Sequence, residues 1–364
     1  MRKVQIEAES KDYFVFIEPG IRHLIGDQIK KIMTEPVSSV LVITDSHVAP
    51  LYLEEVVSSF NDQLPIYTEV IKSGEASKSL AVYDQVLTKA LSSSLDRKSL
   101  IVALGGGVVG DLAGFVASTY MRGVRFVQVP TTLLAHDSSV GGKVAINHPL
   151  GKNMVGSFHQ PEAVFYDTEM LYSMPVREWR SGFAEVIKHG FIHDHSFLKK
   201  LQELKGIEQL PVEQLDEILE KSIQVKAKIV KEDEKETGVR AFLNFGHTLG
   251  HALEAELGYG VLTHGEAVVV GMIFSLRLSE EMYQIDLQVK EYEKWLNDLG
   301  FQTEIPLDCK RDRLLVKMRQ DKKAEAGSIK MVLLKKIGEA TLIDIPPTLV
   351  EQILVERMGV GKIG

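Results

Sequence analysis

An alternation in the first half of the chain constrains the fold most. Short β-branched runs, SSVLVITD (38–45), IYTEVI (66–71), SLIVALG (99–105), VRFVQVP (124–130) and AVFYDT (163–168), are separated by segments of helical periodicity. Strand, helix, strand at that spacing predicts a parallel α/β sheet, because a parallel pair needs a crossover long enough to hold a helix. The N-terminal MRKVQIEAESKDYFVFIEPG alternates apolar and polar residues like a strand pair. From about Ser173 the pattern changes to long amphipathic stretches such as LQELKGIEQLPVEQLDEILEKSIQVKAKIVKEDEKE, with one late hairpin candidate, IKMVLLKKIGEATLIDI. At 364 residues the chain exceeds what one hydrophobic core usually serves. The switch in periodicity is therefore read as a boundary between a Rossmann-like α/β domain (1–172) and a mostly helical domain (173–364).

Several function classes fall away on composition. Hydrophobic residues at 45% and charged residues at 25% suit a packed core and not a disordered or fibrous chain. A formal charge of −8 lacks the broad basic surface that a nucleic-acid backbone or an anionic membrane demands, so neither is expected as a main partner. Cys309 is the only cysteine, which leaves no internal disulfide and no cysteine-based zinc site. Any metal must sit on His, Asp or Glu. Neither a signal-peptide pattern nor a run of about eighteen apolar residues is present, and a cytoplasmic location is expected.

In SLIVALGGGVVGDLAGFVAS an apolar strand meets Gly105, Gly106, Gly107 and Gly110, then a helix that carries Asp111. Gly105, Gly107 and Gly110 satisfy G-x-G-x-x-G between strand and helix, where glycine lets the backbone approach a pyrophosphate at the positive end of the helix dipole. A tight turn without a ligand would have the same spacing. The usual acidic ribose contact is missing after the next strand, which offers only Gln128; Asp45, ending the earlier strand, is the alternative. Further on, PTTLLAHDSSVGGKVAINHPLGKNMVGSFHQP reads as a long loop without clear secondary structure. It holds Gly141, Gly142, Lys143, Gly151, Lys152 and Asn153, which suggest an anion site, and one acid, Asp137.

A metal constellation is also visible. NFGHTLGHALE puts His247 and His251 at i and i+4 on one helix face, and His264 opens another apolar helix in THGEAVVVGM. The helix EWRSGFAEVIKHG adds Glu185, with Lys188 one turn beyond. Two His and one Glu make a usual zinc set with an open position, but spacing does not say which two histidines ligate. The third could remain a proton carrier. Gly246, Gly250 and Gly265 flank these histidines and would permit the close helix approach that a buried site requires.

Taken in order, LGGGVVGDLAGF, TTLLAHDSSVGGK, GKNMVGSFHQP, GFAEVIKHG and NFGHTLGHALE followed by HGEAV resemble the 3-dehydroquinate synthase family, from about Ser38 to Ile345. The resemblance implies conversion of 3-deoxy-D-arabino-heptulosonate 7-phosphate to 3-dehydroquinate and phosphate in the shikimate pathway. It implies NAD, one divalent metal (zinc or cobalt) and a homodimer. Metal ligands would be Glu185, His247 and His264, leaving His251 as an acid/base group with Glu236. Lys143, Lys152, Asn153 and Lys188 would meet the substrate phosphate, with Arg122 reaching in from the neighbouring subunit. Asp137, Lys226, Arg240, Asn244 and a lysine of DKK, Lys322 or Lys323, would meet substrate hydroxyls and carboxylate. Catalytic roles would fall to His251, Glu236, Lys188, Lys143 and Arg240. Cofactor contacts would come from Asp45, His47, Glu75, Lys78, Gly105, Gly106, Gly107, Val108, Val109, Gly110, Asp111, Thr131, Thr132, Lys143, Lys152 and Ser173. Two departures from the commonest family pattern are a shorter LLAHDSS and His47 where Asn is frequent.

Two related enzyme classes share parts of this machinery. A sugar-phosphate cyclase whose substrate lacks the carboxylate would not need Arg240 with the DKK lysines, and a polyol dehydrogenase would not need the phosphate cluster. A nucleotide-binding regulator would leave the Glu/His/His set without a purpose.

Overall fold

The structure is a computed structural model that describes residues 1–60, 64–258, 260–320 and 329–358. In chain order the strands and helices are β1 (Arg2–Ile6), β2 (Tyr13–Ile17), α1 (Ile25–Ile32), β3 (Val40–Asp45), α2 (Glu54–Ser58), β4 (Ile66–Ile71), α3 (Leu80–Ser92), β5 (Leu100–Gly105), α4 (Gly107–Thr119), β6 (Arg125–Pro130), α5 (Ala135–Ser138), β7 (Lys143–His148), β8 (Gly151–Phe158) and β9 (Ala163–Tyr166). There follow α6 (Val176–His193), α7 (His195–Gln202), α8 (Val212–Glu232), α9 (His247–Leu257), α10 (His264–Tyr283), α11 (Val289–Asp298), α12 (Arg311–Gln320), β10 (Ile329–Lys336), β11 (Glu339–Ile345) and α13 (Pro347–Arg357). Two compact units emerge: unit 1 holds 1–174 and 211–235, and unit 2 holds 175–210 and 236–364.

Unit 1 is built on a sheet in the order β1-β2-β9-β6-β5-β3-β4, with β1 antiparallel to β2 and every other neighbouring pair parallel. Alternate residues of the central strands feed two separate cores. Leu41, Ile43, Ile101 and Ala103 join one with α4, while Val40, Val42, Leu100, Val102 and Leu104 join the other with Ile25 and Ile29 of α1. Both faces are thus buried, which is why these strands read as continuous apolar runs. The segment after β6 departs from expectation. Instead of a long irregular loop it forms α5 and the antiparallel hairpin β7–β8. Val144 and Ile146 point inward at period two and join the core with Leu112 and Phe126, anchoring the hairpin; interspersed glycines and lysines obscured that alternation. Helix α8, amphipathic as expected, packs with β1, β2 and α5 and so groups with unit 1.

Unit 2 is mostly helical and carries the β10–β11 hairpin. Its core gathers Leu249 and Leu253 of α9, Phe274 and Leu278 of α10, Leu333 of β10 and Leu354 of α13. Two glycines let its helices approach closely. A Cβ on Gly265 would lie 2.2 Å from the Ser181 carbonyl oxygen of α6, and one on Gly271 would lie 1.8 Å from that of Gly246, which precedes α9. No described helix is long and apolar enough to cross a membrane.

Candidate active site

In unit 1, Gly106 precedes α4 and makes no side-chain cap, and Val108, Val109 and Gly110 follow Gly107 in the first turn. The leading N–H groups of this 13-residue helix are thus left without a capping side chain at the end of β5, the arrangement that suits an anion. One turn into α4, Asp111 meets the Lys78 ammonium at 2.6 Å; that ammonium also donates to Asn153 Oδ1 at 2.5 Å and lies 3.8 Å from Glu75. Burial pushes the Asp111 carboxyl above its ordinary range, against the pull of Lys78. Asp45, at the end of β3, accepts from the His47 and Val48 N–H groups at 2.8 and 3.1 Å. The His47 ring lies 3.3 Å from Ser73 Oγ.

The remaining expected contacts of unit 1 are placed as follows. The Thr131 N–H donates to the Gly105 carbonyl at 3.1 Å, and the Thr132 carbonyl accepts the Tyr166 hydroxyl. Ser173 donates to the Met170 carbonyl at 2.8 Å. Lys226 of α8 donates to the Asp137 carbonyl and lies 3.1 Å from its carboxylate. Lys143 and Lys152 are exposed on the hairpin. Exposed Arg122 follows Met121, and the pair sits at φ 67° and 48°, a left-handed tandem that costs non-glycine residues energy.

Asn147 went unnoticed in the sequence. Its side chain donates to Glu75 at 2.8 Å and accepts the Asn153 N–H at 2.9 Å, while its own N–H donates to the Lys78 carbonyl at 2.8 Å. It ties the hairpin to the 75–78 turn and holds Asn153 at φ 55°. The available signal was a polar residue directly after the Val144 and Ile146 alternation.

Unit 2 brings Glu185, His247 and His264 together from α6, α9 and α10. Thr263 and Glu266 form a capping box that sets His264 as the first residue of α10. Glu185 Oε1 lies 3.6 Å from His247 Nε2 and 3.5 Å from His264 Nε2. Bonds of about 2.0–2.1 Å at tetrahedral angles would put donor atoms about 3.3–3.4 Å apart, so the observed spacing suits a divalent metal of zinc type. The other Glu185 oxygen pairs with the Lys188 ammonium, and both side chains are buried. Each imidazole has a partner on its far side: the Phe245 carbonyl lies 3.2 Å from His247 Nδ1, and Glu254 Oε2 lies 3.2 Å from His264 Nδ1. Burial, helped by Lys188, holds the His247 pKa well below its ordinary value and keeps a lone pair for a metal. At His264 burial works in the same direction, but hydrogen bonds with Glu185 and Glu254 outweigh it and push the pKa up to about 9.

The His251 ring lies 5.3 Å from that of His247 and 5.8 Å from that of His264, so all three histidines share one cluster. Arg240 is fully buried in the turn before α9, where Asn244 donates to Glu236 at 3.0 Å. Lys322 and Lys323 lie outside the described residues. Glu254 also escaped sequence reasoning, although HTLGHALE places it at i+7 from His247, on the same helix face.

The family models "3-dehydroquinate synthase N-terminal" and "3-dehydroquinate synthase C-terminal" match residues 68–181 and 182–324. A 3-dehydroquinate synthase from Halalkalibacterium halodurans is 52% identical over 355 residues, 97% of this chain and 98% of that one. Another from Geobacillus thermodenitrificans is 53% identical over 347 residues, 95% of each. Among solved structures, a 2-deoxy-scyllo-inosose synthase complexed with carbaglucose-6-phosphate, NAD+ and Co2+ superposes with a TM-score of 0.89 at 27% identity, covering 98% of this chain and all of that one. Both halves of the chain match, and the match runs nearly end to end: the chain belongs to the 3-dehydroquinate synthase family.

Proposed function

We propose that the chain converts 3-deoxy-D-arabino-heptulosonate 7-phosphate to 3-dehydroquinate and phosphate, as a phosphate-eliminating carbon–oxygen lyase of aromatic biosynthesis. The observation that carries this reading is the convergence of Glu185 Oε1, His247 Nε2 and His264 Nε2 in a chain of this family. When bound, NAD would accept a hydride from substrate and return it later in the same cycle, leaving the overall reaction redox-neutral, and the metal would polarise substrate oxygens.

The chain's own residues do the rest. Glu185, His247 and His264 hold the metal, with Lys188 neutralising the second Glu185 oxygen and facing the substrate phosphate. Lys143, Lys152 and Asn153 are further phosphate contacts, and Arg122 of the partner subunit completes the set in a homodimer. His251, not needed as a ligand, exchanges protons with substrate alongside Glu236. Asp137, Lys226, Arg240 and Asn244 orient the hydroxyls and carboxylate. Asp45, His47, Glu75, Lys78, the 105–111 turn, Thr131, Thr132, Lys143, Lys152 and Ser173 bind NAD. A single buried cysteine that needs no oxidising compartment supports a cytoplasmic enzyme.

The test is phosphate release from that substrate with NAD⁺ and zinc present, while NADH absorbance is followed. Phosphate without net NADH, abolished by a chelator, is the expected result. Release only from a hexose phosphate lacking the carboxylate would favour a cyclase of the 2-deoxy-scyllo-inosose type, and accumulating NADH would favour a dehydrogenase. Sedimentation of the protein tests the dimer.

A further inference from the structure

We propose that Glu254 positions the metal ligand His264, through a hydrogen bond accepted from Nδ1–H that holds the Nε2 lone pair towards Glu185 and His247. The inference rests on the reading of Glu185, His247 and His264 as ligands. A neutral imidazole carries one N–H, so a group that accepts at one ring nitrogen decides which nitrogen offers its lone pair. Glu254 Oε2 stands 3.2 Å from His264 Nδ1, and Nε2 faces Glu185 Oε1 at 3.5 Å on the opposite side of the ring. Glu254 is 7% exposed, and α9 delivers it together with His247 and His251 on one face.

The two ligating imidazoles are oriented by unlike groups. His247 has a backbone carbonyl, which fixes the ring without adding charge. His264 has a full carboxylate, which also raises the basicity of Nε2 and so strengthens its bond to a metal. The donor atoms of His251, Glu254 and His264 lie within 4.8 Å of one another and could themselves be taken for a metal set. Occupying it would require His264 to give up the Nδ1 contact that directs Nε2 at Glu185. The two sets share His264, whose neutral ring has one lone pair, so a metal held with Glu185 and His247 leaves Nδ1–H to Glu254.

The experiment measures Zn²⁺ affinity of the full-length protein by competition with a chromophoric chelator, records the visible absorption of the Co²⁺ form, and follows thermal unfolding by circular dichroism. Glu254→Ala is expected to weaken Zn²⁺ binding about 10–100-fold and to shift the Co²⁺ bands, with one ion still bound per chain. Glu254→Gln retains an acceptor without the charge and should lose several-fold, less than Glu254→Ala; it carries the test should the alanine variant fail to fold. Zn²⁺ affinities of both variants within twofold of the parent overturn the positioning role. So does complete loss of the ion in Glu254→Gln to the extent seen in Glu185→Gln, which would make Glu254 a ligand. If His247→Ala binds Zn²⁺ like the parent, the ligand set itself is wrong and the inference falls with it.

Discussion

Glu185 shows how one buried side chain can serve two charges. Its Oε1 faces two imidazoles while its Oε2 meets Lys188, so the carboxylate is neither bare in the core nor fully neutralised by its helix neighbour. The proposed division of labour among the histidines rests on the family resemblance and makes a testable difference. His247→Ala should lose metal and activity together, whereas His251→Ala should retain metal and slow phosphate loss; metal analysis of the purified variants checks this, and a metal-free His251→Ala protein would refute the division. Asn147 acts at the same scale. Removing its two side-chain hydrogen bonds in Asn147→Ala should release Asn153 and raise KM for the phosphorylated sugar about tenfold, or ~1.4 kcal/mol, comparable to a net hydrogen bond. Unchanged steady-state constants would show that the network is ornamental to binding.

At the scale of elements, the cluster of Glu185, His247 and His264 depends on how closely α10 approaches α6. Alanine normally improves a helix by about 1 kcal/mol over glycine. At Gly265 the sign should reverse, because the new methyl would meet the backbone of Ser181, which cannot turn aside. Gly265→Ala is expected to cost about 1–3 kcal/mol of stability and to weaken metal binding by displacing His264; thermal unfolding and zinc titration measure both. A variant as stable as the parent would contradict the close approach. Elements with a strong local signature were legible in the sequence: the parallel strands by their apolar runs, the glycine turn by its spacing, and the HTLGH helix by its period. What escaped depended on partners distant in sequence. The amphipathic face of α8 announced a helix but not that β1 would cover it, and the lysines of the hairpin hid the two inward residues that make it a hairpin. Glu254 lay in plain sight on the histidine face, yet its role depends on His264, ten residues away on another helix.

On the scale of the whole molecule, the expected ligands divide between the two units. The glycine turn and its Lys78–Asp111 pair belong to unit 1, and the Glu185, His247 and His264 set belongs to unit 2. Zinc at 100 times its dissociation constant should stabilise the folded state by about 2.7 kcal/mol. Hydrogen exchange should show that gain as slower exchange in α6, α9 and α10. NAD⁺ alone should instead protect the end of β5 and the start of α4. Zinc that protected 100–119 and left 176–193 unchanged would sink the metal assignment. The path of the chain through the units adds a constraint in time. Because 211–235 rejoins the first 174 residues after an excursion into unit 2, the sheet of unit 1 has all its strands, but not its full cover, when β9 leaves the ribosome. The cover must wait until α8 has been synthesised, with the β1 side that α8 will bury still bare. Nascent chains of this protein therefore pass through a stage of some seventy residues, from β9 to the end of α8, in which a partly uncovered sheet is open to chaperones and to other copies of itself.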